Sequence, residues 1–261
     1  MVKSHNSPNC DRTTHLFQIN GLNVNESKTQ CMFVGSRQLV SLIPPNTVIN
    51  FGNTAIIPSK SVKNLGVIMD QYMLFDVHIN HISSKVSGIL MFLNKIKDRF
   101  DKETRVIIVQ SLVLSIINYC LKVWGVTTQQ QVERVQKLEN FAAKVAFGGA
   151  RKYDHATPIL RELKWLNMKC KITLDICIFT YKICNKLLPE WLFSLPTVGN
   201  TVTRNTRQSN NLFIQRTYTD IGARSILVKA PAMYNIIPEN IKKSSSLHLF
   251  KEKLKTYLLN P

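Results

Sequence analysis

The chain has few acidic residues and few of the residues that interrupt regular structure. Its 261 residues include 10 glycines and 10 prolines, with no repeat at a fixed period. This excludes collagen-like chains, low-complexity chains and repeat solenoids. Apolar residues make up 44% of the chain, which is too many for an intrinsically disordered segment. At about 100–200 residues per domain, the length predicts one large or two small globular units.

The shortage of acidic side chains leaves a large positive charge. There are 16 aspartates and glutamates against 34 lysines and arginines, so the net charge is +18. An excess of this size repels itself and is usually matched to an anionic surface, most often nucleic acid. We therefore expect RNA or DNA as a weakly bound partner, with no ranking between the two. The alternative is a basic but otherwise ordinary protein.

Cysteine spacing and the apolar runs argue against zinc sites and membrane spans. The six cysteines form no Cys-x-x-Cys pair. The longest nearly apolar run, 106–117, is interrupted by Gln110 and is too short to cross a bilayer. The first residues lack the apolar core of a signal peptide. We expect no membrane partner, reduced thiols and an intracellular location, in the nucleus or the cytoplasm.

The hydrophobic period changes from two to about 3.6 near residue 76. Before this point we predict a strand at 29–34, a hairpin of 48–51 with 54–57, and one short strand over 62–69. After it the pattern predicts helices. They cover an apolar stripe over 86–100 and the segments 101–124, 129–147, 157–163, 168–187 and 246–258. The segment 221–235 has no clear assignment.

These patterns predict an α+β fold that is mainly α. A poorly ordered lead-in covers 1–20, a small β-hairpin unit covers 21–76, a helical bundle covers 77–195 and a basic C-terminal extension covers 196–261. The predicted helix over 168–187 carries apolar residues almost all round, as is typical of a helix at the centre of a bundle.

Five basic residues are candidates for phosphate contacts. Lys95, Lys97 and Arg99 lie off the apolar stripe of the first helix, and Arg151 and Lys152 follow the glycine pair that ends the 129–147 helix. The alternative is that they form a solvated helix face.

Some histidines, cysteines and tryptophans could bind a metal or stack on a base, but their positions in the sequence favour structural roles. His78 and His81 have no accompanying acid or thiol at ligand spacing, which favours a solvated helix start over a metal site. We expect core packing for Cys170, Cys177 and Cys184, which recur every seven residues. The same holds for the tryptophans, each of which has an adjacent apolar residue: Trp124, Trp165 and Trp191.

An ordered series of short motifs runs along the chain. They are GLNVNESKT at 21–29, VGSR at 34–37, SVKNLGVIMD at 61–70, NYC at 118–120, QKLEN at 136–140, DHATPILRELKWL at 154–166, APAMYNIIP at 230–238 and SLHLFK at 246–251. In order and spacing they resemble the stretch downstream of the catalytic aspartates in reverse transcriptases of non-LTR (LINE, jockey-like) retrotransposons. The resemblance covers about residues 20–258.

The resemblance implies a role for several positions. Lys28 matches a lysine beside the polymerase site that assists proton transfer to the leaving pyrophosphate, and with the five basic residues above it completes the set of candidate nucleic-acid-binding residues. Leu65, Gly66 and Val67 match the primer-holding hairpin at the base of the thumb. The unit over 21–76 would then be a palm remnant with a primer-grip-like hairpin, and the bundle over 77–195 would be the thumb, which grips the template-primer duplex by its backbone. The chain would be a truncated fragment of an RNA-directed DNA polymerase.

One departure from this family bears on catalysis. Nucleotidyl transfer needs clustered carboxylates to hold Mg²⁺ against the substrate phosphates, and the sequence contains no Asp-Asp pair. Asp11 is a lone acid and does not replace one. No glycine-rich nucleotide motif or nucleophile elbow is present. We therefore expect no catalytic residue, metal site or small-molecule substrate, and no cofactor, with Mg²⁺ expected only in a full-length relative. On its own the chain should be inactive.

Two other interpretations of the same sequence stay open. One is a protein-interaction module that uses the apolar surface left by the loss of the palm. The other is an unselected remnant with no function.

Overall fold

The computed structural model describes residues 4–6, 17, 19–21, 25, 28–51, 54–150, 153–189, 195 and 211–259. The chain divides into two compact units, Met1–His78 and Ile79–Pro261. The strands belong to the first unit and most of the helices to the second, so the predicted α+β, mainly α fold is confirmed.

Two small sheets make up the described part of the first unit. The three-stranded sheet contains β1 (Ser4–Asn6), β2 (Val48–Phe51) and β3 (Thr54–Ile56), with β1 parallel and β3 antiparallel to the central β2. The second sheet is an antiparallel hairpin of β4 (Ser61–Asn64) and β5 (Val67–Asp70). A short helix, α1 (Arg37–Ser41), begins where the Ser36 hydroxyl accepts a hydrogen bond from the Leu39 N–H at 3.3 Å.

Two strand predictions in this unit are wrong. Residues 29–34 form no strand in the described structure, and the Cys31 carbonyl accepts the Ser59 N–H at 2.9 Å, outside any ladder. The segment 62–69 is two strands rather than one. A two-residue turn reverses the chain between Asn64 and Val67, which pair across the hairpin. The Leu65-Gly66 pair is not one of the common two-residue turn sequences, such as Asn-Gly or Asp-Gly, so the sequence gives only a weak signal for this turn.

The turn itself explains the glycine at position 66. Leu65 has φ 45° and Gly66 has φ 86°, the left-handed conformations that a two-residue hairpin turn of type I′ requires. The Leu65 side chain is exposed and the Val67 side chain is buried. Glycine is needed here for its backbone conformation.

Gly66→Val is therefore expected to destabilise the hairpin by about 2 kcal/mol, because a β-branched residue is strained at positive φ. Amide hydrogen exchange in peptides covering 61–70 should become faster. Gly66→Asn is the matched control, because asparagine tolerates the left-handed region. Unchanged exchange in the valine variant would contradict this conformation of the turn.

The second unit is built from helices, the first of which begins at the end of the first unit. They are α2 (Asp76–Ile96), α3 (Lys102–Val109), α4 (Ser115–Asn118), α5 (Leu121–Trp124), α6 (Gln129–Phe147), α7 (Ala156–Glu162), α8 (Met168–Cys184), α9 (Asp220–Arg224), α10 (Ile226–Asn235), α11 (Glu239–Lys242) and α12 (Leu247–Leu259). A 3₁₀ turn, Lys97–Arg99, follows α2, and a π turn, Gln110–Leu114, joins α3 to α4. None of the described helices combines the length and apolar content needed to cross a membrane.

The predicted helix over 101–124 is interrupted twice. The π turn inserts an extra residue, and the chain breaks between α4 and α5, where Cys120 has φ 50°. The indole N–H of the fully buried Trp124 donates to the Tyr119 carbonyl at 2.8 Å and satisfies the backbone at the break. No glycine or proline lies between 110 and 120, so the sequence carries no local signal for either interruption.

The described part of the C-terminal extension shares a core with the bundle. Helices α10, α11 and α12 pack on α8, and the Tyr181 and Phe250 rings stack with their centroids 4.2 Å apart. The Tyr181 hydroxyl donates to the Ser244 carbonyl at 2.6 Å. The boundary predicted near 195 therefore separates two segments whose apolar faces cover each other. The unassigned segment 221–235 forms α9 and α10, with Pro231 inside the helix.

The core positions predicted for the tryptophans and for the cysteines of α8 are only partly confirmed. Trp124 and Trp165 are buried, as predicted, and Trp191 lies outside the described residues. Of the three cysteines on α8, only Cys177 is fully buried, and Cys184 is exposed.

The histidines also differ from each other. The prediction of a solvated pair is wrong for His78, whose buried ring accepts the Ile68 N–H at Nδ1, 3.4 Å away. The His81 side chain is exposed, as predicted.

Candidate nucleic-acid interface

A basic groove of about 720 Å³ lies between the C-terminal end of α2 and one face of α6. Its described lining consists of Asn94, Lys97, Lys137, Asn140, Phe141, Lys144 and Ala150. Three of these residues are lysines, and none of the described lining residues is acidic. The groove thus combines positive charge, two amide side chains and one aromatic ring, the groups with which proteins hold a nucleic-acid backbone.

The α-helical period brings the α6 residues of the groove together. Lys137, Asn140, Phe141 and Lys144 follow one another at spacings of three, one and three residues, which places them on one side of the helix. The opposite side is apolar and buried, and includes Val135 and Ala142. Burial of that side fixes the rotation of α6, so the lysines are held toward the groove.

Arg105 joins the two walls of the groove. Its guanidinium donates to four backbone carbonyls: Lys97 at 3.2 Å, Phe100 at 2.5 Å, Ala146 at 3.3 Å and Phe147 at 3.1 Å. The first two carbonyls belong to the turn after α2 and the other two to the end of α6. Arg105 therefore positions Lys97 opposite α6 and is not a free cation for phosphate.

The space for this guanidinium comes from the glycine that ends α6. A Cβ atom at Gly148 would meet the Arg105 side chain, and the φ of 89° is a conformation that other residues rarely adopt. Gly148 was predicted only as a helix stop, and its second role depends on a side chain about forty residues earlier in the chain.

The structure separates the five basic residues predicted to contact phosphate. Lys97 lines the groove. Lys95 and Arg99 have exposed side chains and are absent from the described lining. Arg151 and Lys152 lie outside the described residues. The solvated-face alternative thus describes Lys95 and Arg99, and the groove holds Lys97.

The residues matched to the polymerase site and the primer grip belong to the first unit. Lys28 has an exposed side chain, and its backbone N–H donates to the Asn25 carbonyl at 3.1 Å. Leu65 and Gly66 are the exposed turn of the β4–β5 hairpin, and Val67 is buried at the start of β5.

Sequence reasoning missed Lys137 and Lys144. Their spacing of seven residues, with Asn140 between them, was a usable signal, because residues so spaced share a helix face. The signal was hidden by acidic neighbours: Glu133 and Glu139 occupy the same helix, and only the structure shows that Glu139 points away into the core.

Glu139 forms a buried ion pair that ties α6 to α8. Its carboxylate is fully buried, and the ammonium of Lys171, whose side chain is 13% exposed, lies against it. Burial raises the pKa of Glu139, and the positive charge of Lys171 opposes that rise. The neighbouring Gln136 accepts the Met168 N–H at 2.6 Å and donates to the Asn140 side chain at 2.8 Å. Within the QKLEN motif, then, Gln136 and Glu139 hold helices together while Lys137 and Asn140 face the groove.

Comparisons with protein-family models, curated proteins and solved structures gave no match to this chain. The resemblance to reverse transcriptases therefore stands on the sequence motifs alone. In the described part of the chain, no group of three His, Cys, Asp or Glu side chains is placed to hold a metal ion.

Proposed function

We propose that this chain binds RNA or DNA without sequence preference through the groove between α2 and α6. The observation that carries the proposal is the convergence of Lys97, Lys137 and Lys144 on one groove with no acidic residue in its described lining. The motif series further supports an origin as the part of a non-LTR retrotransposon reverse transcriptase that lies downstream of the catalytic aspartates.

The groove offers contacts of a kind that do not read sequence. Lysine is a compact point charge that neutralises phosphate and displaces condensed counterions. The amides of Asn94 and Asn140 can donate to phosphate or sugar oxygens, and the Phe141 ring can stack on a base of any identity. The described lining contains no arginine, the residue best suited to a bidentate contact with a guanine edge.

The experiment is an affinity titration of a labelled oligonucleotide, single-stranded and duplex, by fluorescence anisotropy. The variant Lys97→Gln/Lys137→Gln/Lys144→Gln should bind at least about tenfold more weakly than the parent chain. Between about 50 and 200 mM salt, the slope of log affinity against log salt should become shallower by about 2 to 3, because each lost duplex contact removes about 0.9.

A matched control removes the same charge elsewhere. Lys28→Gln/Lys251→Gln/Lys253→Gln changes three exposed lysines outside the described lining of the groove and should stay within about twofold of the parent affinity. Equal weakening in both variants would mean that binding follows net charge and not this groove. A parent chain with no salt-dependent binding would refute the proposal. The interaction-module hypothesis would then be favoured. It is supported by the exposed apolar side chains of Leu42, Ile57 and Leu65.

Polymerase activity is expected to be absent from the chain by itself, because the sequence supplies no paired aspartates for two metal ions. Incubation with primed template, Mg²⁺ and nucleotides should leave the primer at its starting length. Extension above that of a heat-inactivated sample would contradict this expectation.

A further inference from the structure

A second cavity, of about 500 Å³, lies in the helical unit beside α8. Its apolar lining in the described residues consists of Leu114, Leu121, Trp165, Leu166, Leu174 and Ile178. The volume falls within the range of about 300–1,000 Å³ that is typical of small-molecule sites. None of the described residues lines both this cavity and the basic groove.

Local backbone features shape one wall of this cavity. The π turn shifts the helical register by one residue, so that Leu114 and Ser115 both face the cavity. Opposite this wall, Leu174 and Ile178 lie one turn apart on α8. The apolar lining therefore comes from two stretches of chain, 114–121 and 165–178, that are far apart in sequence.

The charges around the cavity leave a positive excess. Four charged residues line it, of which Lys171 is paired with Glu139. The carboxylate of Asp175 accepts the Lys122 N–H at 3.1 Å and lies 3.7 Å from the Lys122 ammonium. The other two are Lys164 and Lys255, and neither has an ion-pair partner among the described residues. The apolar lining of the cavity therefore lies beside two lysines, Lys164 and Lys255, that no acidic residue of the described chain neutralises.

We propose that this cavity binds a small amphipathic anion. An aliphatic chain would cover the leucine and isoleucine side chains, and a carboxylate or phosphate headgroup would pair with Lys164 and Lys255. Charge complementarity selects an anion over a neutral or cationic molecule of the same length, and the apolar lining selects a chain over a free phosphate. The cavity is a binding site, and no reaction is assigned to it.

The first experiment compares ligands of equal chain length by calorimetric titration into the full chain. Decanoate and decyl phosphate are the two anionic probes, and the tighter of the two identifies the headgroup. At least one should bind with one molecule per chain and at least about tenfold more tightly than decanol. Decylammonium should not bind. If decanol binds as tightly as both anions, or if neither anion binds, the proposal is overturned.

The second experiment places the ligand in this cavity. Lys164→Gln/Lys255→Gln should weaken binding of the anion at least about tenfold, while Lys251→Gln/Lys253→Gln, an equal charge change on the exposed side of α12, should leave it within about twofold. Ser115→Phe should abolish binding, because the larger side chain fills the cavity. Since Ser115 is exposed, the thermal unfolding midpoint of this variant should equal that of the parent chain, which shows that the variant is folded. Binding that survives in Ser115→Phe, or is weakened equally by both lysine pairs, would refute the assignment.

Discussion

Lys171→Met is expected to lower the free energy of unfolding by about 3–5 kcal/mol, because it leaves the fully buried Glu139 carboxylate without a counter-charge. Methionine keeps most of the aliphatic volume of lysine, so the loss comes from the charge and not from a cavity. Chemical denaturation followed by tryptophan fluorescence is a suitable measurement, since the described tryptophans, Trp124 and Trp165, are buried in the unit that contains the pair.

The same pair predicts a pH dependence with a definite sign. Because burial raises the pKa of Glu139 in the folded state, the folded chain holds this proton more tightly than the unfolded chain. The contribution to stability is therefore complete below the unfolded glutamate pKa of about 4.3 and is lost as pH rises through the raised folded pKa. In Lys171→Met the opposing charge is absent, so the loss should extend to higher pH than in the parent.

A double variant separates charge from packing. Glu139→Gln/Lys171→Met should recover most of the stability lost by Lys171→Met, because no buried charge is left uncompensated. It should also lack the pH dependence assigned to Glu139. If the double variant is as unstable as Lys171→Met at neutral pH, the lost stability reflects packing and the ion-pair interpretation is wrong.

Asp70→Ala is expected to destabilise the first unit by about 3 kcal/mol, because one carboxylate there satisfies three backbone donors. Its Oδ1 accepts the N–H groups of Tyr72 at 3.0 Å and Leu74 at 3.2 Å, and its Oδ2 accepts that of Phe75 at 2.5 Å. These bonds hold a turn in which Met73 and Phe75 have positive φ, a conformation that costs free energy for non-glycine residues.

Hydrogen exchange is the appropriate measurement for Asp70→Ala, since the first unit contains no tryptophan. Amides over 70–75 should exchange faster than in the parent chain. Asp70→Asn keeps one acceptor oxygen and should lose less than half as much stability. Asp98→Ala, which removes an exposed acid, should change stability by less than about 0.5 kcal/mol. Equal effects of Asp70→Ala and Asp98→Ala would contradict the role of the Asp70 carboxylate.

The sequence predicted the bounds of α6 and the start of α8 well because their signals are local. The predicted helix over 129–147 matches α6 at both ends. At its C-terminal end the apolar period stops at a glycine pair, 148–149. The helix predicted from 168 begins at Met168, after Asn167, whose side chain accepts the Cys170 N–H at 2.9 Å. Periodicity and capping act over three or four residues, so both can be identified from sequence alone.

The groove was only partly predictable. Lys97 was identified as a basic residue off the apolar stripe, but its partners Lys137 and Lys144 lie about forty residues later. Their meeting depends on Arg105, which binds carbonyls from both segments. No short-range pattern encodes that contact.

Sequence by itself determined the helical class, the large positive charge and the bounds of helices such as α6, because composition and local periodicity specify these. Tertiary structure decided the break at Cys120, where the Trp124 indole replaces a helical hydrogen bond, and the burial of Glu139 against Lys171. It also decided which lysines share a groove. These features depend on side chains that meet only after the chain has folded, so their free energies are set by distant partners and not by neighbours in sequence.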